Sequence, residues 1–188
     1  PMQMLNGNGN EFRGMLLYLG LELEPNAFAR QALNEYINNA QPDESWRCVD
    51  RIGWHDQVFV LPDDVIFGNA AGQRILLQTT SGSNHAFKTS GSLQGWQENI
   101  ARYCAGNSRL AFALSAAFAT PLLKLVGLEG GGFHFRGESS RGKTTALHVA
   151  GSVWGGGDMG GYIKTWRGTG NGMEALALGH CDALLCLD

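Results

Sequence analysis

The chain has 188 residues, 44% apolar and 16% charged, with a formal net charge of −3. That length holds one or two domains with a real core, and the balance of apolar and charged residues excludes a disordered chain. The mild acidity excludes a dominant basic nucleic-acid surface, while leaving room for a local basic strip or a basic partner domain.

In chain order, residues 13–23 form an apolar segment of open type. Pro25 and Asn26 predict the start of a helix with Phe28, Ala32, Leu33, Tyr36, Ile37 and Ala40 on one face. After Gln41-Pro42 the pattern changes. Residues 47–54, 57–61, 65–67 and 74–79 read as four short strands, some of them separated by turns at Pro62-Asp63-Asp64 and Gly68-Asn69-Ala70-Ala71-Gly72. Together they predict an accessory α+β domain over residues 1–90, an antiparallel sheet with a helix packed on it. Residues 79–91 read as a polar linker or surface loop.

Residues 91–188 read as a helical lead-in and the first part of an α/β P-loop NTPase core, AAA+-like in its compactness. Ser92 is the expected N-cap of a helix carrying Trp96, Ile100, Tyr103 and Cys104 on one face. The apolar stretch 110–126 raises the question of a membrane span. It is interrupted by Ser115, Thr120, Pro121 and Lys124 and falls short of the roughly 20 apolar residues a span needs. A buried helix, kinked or restarted at Pro121, is expected instead.

The densest chemical signal follows. Gly137-Glu138-Ser139-Ser140-Arg141-Gly142-Lys143-Thr144-Thr145 satisfies the pattern G-x-x-x-x-G-K-[ST]. An apolar run, Gly132-Phe133-His134-Phe135, precedes it and a helix-compatible run follows, giving strand, loop and helix in that order. Glycines let successive backbone N–H groups converge on one phosphate, and the helix N-terminus adds its positive dipole. Lys143 would serve the β- and γ-phosphates of ATP, the Thr144 hydroxyl would ligate Mg²⁺, and Thr145 would bond a phosphate oxygen. Glu138 and Arg141 belong to the nucleotide-binding loop without a catalytic role.

A second strand around residues 162–166 and a helix at 172–178 are expected to fill the space before the apolar run Ala183-Leu184-Leu185-Cys186-Leu187, which closes on Asp188. This reads as a buried parallel strand with a carboxylate at its C-terminal edge. Asp188 would hold the same Mg²⁺ through water. The run reads as the place where the second half of an ATPase core would continue.

Other residues carry plainer readings. Trp54 reads as an aromatic anchor beside a surface His55, and His134 as a buried, satisfied histidine. Lys164, Arg167 and Asn171 read as a solvated loop, with DNA or a neighbouring subunit as the other option. Cys48, Cys104, Cys181 and Cys186 form no C-x-x-C pair and read as reduced cytoplasmic thiols. His180, Cys181, Asp182 and Cys186 are too close in sequence to converge easily on one metal ion. No basic segment followed by an apolar core opens the sequence.

Taken together, Ala119-Thr120-Pro121-Leu122-Leu123, the run from Gly132 to Thr145, Val153-Trp154-Gly155, Thr165-Trp166-Arg167-Gly168-Thr169, Asn171-Gly172-Met173-Glu174 and the run from Cys181 to Asp188 resemble one family. It is the ATPase domain of primase-helicase and replication proteins in phages, plasmids and integrated elements. Arg51-Ile52-Gly53-Trp54-His55 and Val58-Phe59-Val60-Leu61-Pro62 extend the resemblance upstream. It implies an ATP-driven DNA helicase or loader for mobile-element replication. Such a protein would act as a homo-oligomeric ring, with some relatives similar to MCM-type helicases. It maps the phosphate lysine onto Lys143 and the metal aspartate onto Asp188, and it places the water-activating acid, the sensor and the arginine finger outside these 188 residues. ATP binding with little hydrolysis by these residues alone is therefore expected.

The expected function is the Mg²⁺-ATP-binding part of a DNA helicase or translocase, a cytoplasmic hexamer acting on single-stranded or forked DNA with no membrane partner. The alternative is a nucleotide-gated DNA- or protein-binding regulatory module without helicase activity. A small-molecule kinase is weaker, because no acceptor pocket is visible.

Overall fold

The structure is a computed structural model that describes residues 9–41, 43–44, 46–78, 85–156 and 161–188. Residues 79–84 of the expected linker and 157–160 of the glycine-rich segment lie outside the described residues. The chain divides into two units, Pro1–Ser45 and Trp46–Asp188, and the expected boundary at residue 90 falls within the second.

In the first unit, α1 spans Asn10–Tyr18 and α2 spans Ala27–Asn39. Asn26 caps α2 as expected, its side chain accepting the Ala29 N–H at 2.7 Å. The expected apolar face is rotated. Ala29, Leu33 and Ile37 are half-buried at i, i+4 spacing, while Phe28, Ala32, Tyr36 and Ala40 are exposed.

The second unit opens with five short strands: β1 (Trp46–Val49), β2 (Gly53–His55), β3 (Val58–Val60), β4 (Ile66–Gly68) and β5 (Arg74–Leu77). They form two sheets rather than the single antiparallel sheet expected. β2, β3 and β4 make an antiparallel meander, whereas β1 and β5 pair in parallel, Val49 opposite Leu77. The expected strand at 47–54 is broken at residues 50–52, and its halves serve different sheets. β3 is buried on both faces because its side chains alternate. Val58 and Val60 join Val49 and Ile75 in one small cluster. Phe59 points the other way, its ring 5.2 Å from Trp54 and 6.2 Å from Trp154.

The larger core lies under the helices. Leu93–Trp96 (α3) is capped by Ser92, as expected, and runs through a π-helical turn, Gln97–Ala101, into Arg102–Cys104 (α4). The π turn shifts the helical register, so Trp96, Ile100 and Cys104 turn inward while Tyr103 is exposed beneath the Arg102 guanidinium. The long helix α5 spans Ser108–Leu123, α6 spans Lys143–Gly151 and α7 spans Gly170–Leu178. Ala113 and Ala117 of α5 pack with Ala146 and Ala150 of α6, and Phe87, Tyr162, Ile163 and Cys186 complete the cluster.

Helix α5 departs from the buried helix expected. Ser108–Val126 is long and apolar enough to cross a membrane, with a mean hydropathy of 1.5, yet only 11% of it is buried. One face enters the core while Phe112, Phe118 and Leu122 are exposed. Pro121 sits inside the helix without ending it, and the reason is local. Proline has no N–H for the Ala117 carbonyl four residues back. That carbonyl instead accepts the Thr120 hydroxyl at 3.0 Å and the Trp154 indole N–H at 3.1 Å. The Trp54 indole N–H donates to the Pro121 carbonyl at 2.6 Å.

The fold is therefore α+β, with a small antiparallel sheet and a parallel strand pair. The parallel strands expected around the phosphate loop form only in outline. Residues 132–136 are irregular. Residues 162–166 and 186–188 run in parallel through one bridge, Lys164 to Leu187, and three backbone hydrogen bonds.

Candidate functional site

The loop 137–142 turns into α6 through two left-handed residues, Ser140 at φ 60° and Gly142 at φ 78°. Gly142 occupies the N-cap position without a side chain to cap the helix, and the first intrahelical bond runs from the Ala146 N–H to the Gly142 carbonyl at 3.0 Å. The N–H groups of Lys143, Thr144 and Thr145 are thus left without helical acceptors. A helix start with free N–H donors, no carboxylate cap and exposed flanking residues suits an anion.

Lys143 folds back over the loop. Its Nζ donates to the carbonyls of Gly137 at 3.0 Å and Glu138 at 2.7 Å. Arg141 and Glu138 pair across the same loop at 3.0 Å, both largely exposed. Ser139, Thr144 and Thr145 are exposed, leaving their hydroxyls open to solvent. The loop therefore brings together every residue of the expected phosphate-binding pattern. Behind it, Ala146, Ala150 and Gly151 are buried. The Trp96 indole ties the end of α6 down through the Ser152 hydroxyl at 3.0 Å.

Asp188 is exposed at the end of the parallel pair. Its N–H donates to the Lys164 carbonyl at 2.8 Å and its carbonyl accepts the Trp166 N–H at 3.2 Å. Thr144 and Asp188 are both exposed, and a hydroxyl and a carboxylate are hard oxygen donors of the kind Mg²⁺ takes.

The other residues weighed from sequence are placed as follows. Trp54 is half-buried against Phe59, and the His55 ring meets the Arg51 carbonyl at 2.9 Å. His134, expected to be buried, is exposed because the strand meant to carry it is not formed. Lys164 Nζ donates to the Gly161 carbonyl at 3.0 Å, while Arg167 and Asn171 are exposed.

The cysteines are free thiols, and burial pushes Cys186 up to about 11, so it stays protonated at neutral pH. His180, Cys181 and Asp182 face different partners: the Leu176 carbonyl, the Leu178 carbonyl and the Trp54 N–H. Among the described residues no three His, Cys, Asp or Glu side chains group to hold a metal. Trp154 and Asp182 stand out in the sequence only as residues, without the contacts they make here. Proline inside an apolar helix was the available signal for Trp154, because it leaves a carbonyl that needs a donor.

A family model described as a domain of unknown function, DUF927, matches residues 1–188. No curated protein and no solved structure matches.

Proposed function

The chain belongs to the DUF927 family, whose description names no activity, and from its own residues we propose that it is the Mg²⁺-ATP-binding part of a DNA helicase or translocase. The observation that carries this reading is the uncapped start of α6 beneath a glycine-hinged loop, with the Lys143 ammonium held over that loop. In this reading the N–H groups of residues 142–145 bind the β-phosphate, Lys143 offsets charge on the β- and γ-phosphates, and Thr144 with Asp188 holds Mg²⁺. Mg²⁺ held by Thr144 and Asp188 would supply charge neutralisation at the phosphate oxygens. The α/β P-loop core of AAA+ type is part of the same proposal, supported by the parallel contact of 162–166 with 186–188.

The motif resemblance supports action on DNA in the cytoplasm, in replication of a mobile element, as a homo-oligomeric ring. The exposed apolar face made by Phe112, Phe118, Leu122 and Leu125 supports an assembling protein, since apolar patches of this kind mark interaction surfaces.

The second reading, a nucleotide-gated regulatory module, is favoured by one specific contact. The upstream sheet reaches the Pro121 region of α5 through Trp54, and α5 packs on α6.

Equilibrium binding of ATP to the chain, with and without Mg²⁺, tests the proposal. Wild type is expected to bind, and Lys143→Ala to lose at least tenfold in affinity, about 1.4 kcal/mol or more. Equal binding by both proteins would refute the site.

A further inference from the structure

The run that ends in Asp188 starts at Asp182, and Asp182 is held from three sides. Its backbone is left-handed, φ 55°, an uncommon conformation for a residue with a Cβ. Its side chain is only 20% exposed and lies between Arg51 Nη1 at 3.6 Å and Lys124 Nζ at 3.5 Å. Its Oδ2 accepts the Trp54 N–H at 2.8 Å. Lys124 Nζ also donates to the Trp54 carbonyl at 3.1 Å, so the carboxylate and the lysine hold the two peptide groups on either side of the Trp54 Cα. Gly53 makes the approach possible: a Cβ there would sit 2.6 Å from Asp182 Oδ2 and 2.8 Å from the Cys181 carbonyl oxygen. At the other end of the run, Cys186 and Asp188 are hydrogen-bonded to Lys164 and Trp166.

We propose that Asp182 is a positioning residue for Asp188. By holding the Trp54 backbone together with Lys124, it fixes the origin of the run 182–188. It thereby sets where the Asp188 carboxylate stands relative to the phosphate loop. The inference rests on the reading of Asp188 as a Mg²⁺ ligand, and it adds a residue that touches neither nucleotide nor metal. The negative charge is the active feature. One carboxylate oxygen receives both cations and an N–H, and a neutral amide of the same shape cannot hold the cations.

The test uses the full chain as wild type, Asp182→Asn and the milder Lys124→Gln, with two readouts. Amide hydrogen exchange is followed at Lys164, Trp166 and Asp188, which bond across the parallel pair, and at Ala117 in the core of α5. ATP binding is measured with and without Mg²⁺. In Asp182→Asn the three pair amides are expected to exchange about tenfold faster with Ala117 unchanged. The Mg²⁺ enhancement of ATP binding is expected to fall by about tenfold, the scale on which outer-shell partners of a metal act. Lys124→Gln is expected to shift both in the same direction by less. Unchanged pair amides in both variants, or acceleration that includes Ala117 equally, would overturn the positioning role. Accelerated pair amides with wild-type Mg²⁺ enhancement would break the link to Asp188. Absence of any Mg²⁺-dependent ATP binding in wild type would bring down the nucleotide reading itself, with the exchange result standing apart from it.

Discussion

His180 shows how much a single buried ring constrains. Nδ1–H donates to the Leu176 carbonyl at 2.7 Å, leaving Nε2 buried and without a partner. Burial holds its pKa below the ordinary histidine value; the Leu176 hydrogen bond opposes that shift and the Lys164 charge adds to it. Tyr162 and Phe87 cover the ring, with centroids 5.3 and 5.6 Å away. The folded state therefore favours the neutral ring more than the unfolded state does. The resulting stabilisation is complete above the unfolded pKa of about 6.5 and is lost as pH falls through that value toward the lower folded one. The melting temperature is expected to drop between pH 7.5 and 5.5, and to drop less in His180→Gln. Parallel pH profiles for the two proteins would contradict this account.

At the scale of elements, α5 and its neighbours form a proline break repaired by tryptophans. If the Trp154 indole supplies the donor that Pro121 removes, the two residues must be energetically coupled. Trp154→Phe is expected to cost about 1–3 kcal/mol, because the buried Ala117 carbonyl keeps only its Thr120 partner. In the Pro121→Ala background the helix N–H returns, and the same substitution is expected to cost less than half as much. Chemical denaturation of the four proteins measures the cycle, and equal costs in both backgrounds would exclude the repair. Sequence reading located this helix and questioned Pro121. It could not find the remedy, because Trp154 lies 37 positions from the carbonyl it serves.

The same divide between local and distant information runs through the other elements. Asn26 and Ser92 caps and the 62–64 turn were legible because their partners lie within three residues. The split into two sheets was not, since β1 pairs in parallel with a strand some 28 residues away and nothing local encodes that register. The turn at 137–142 leading into α6 was legible because contiguous residues carry it. Asp182, which acts through Gly53, Trp54 and Lys124, was visible only as a residue type. The expected strand at 132–135 failed for a related reason. A strand is stable only when its backbone groups find partners, and among the described residues none pairs with it.

Over the whole molecule, both hydrophobic clusters lie inside Trp46–Asp188. A chain starting at Trp46 is therefore expected to unfold in one cooperative thermal transition with the tryptophan emission of the full-length protein. Trp54, Trp96 and Trp154 all bond within that unit. A red-shifted spectrum with no transition would show that its core is insufficient. Trp54, Phe59 and Trp154 pack ring to ring, so near-ultraviolet signals should report on the contact of the meander with the residues that follow α6.

Lys143 has a further consequence. Its ammonium already holds two carbonyl partners, 3.0 and 2.7 Å away, so in the proposed reading a polyphosphate would have to win that ammonium in competition. Association is then a ligand exchange at the lysine, and only the difference between phosphate and carbonyl contacts appears in the affinity. In that reading the loop competes with the phosphates for its own lysine, at the same cost whatever the length of the phosphate chain.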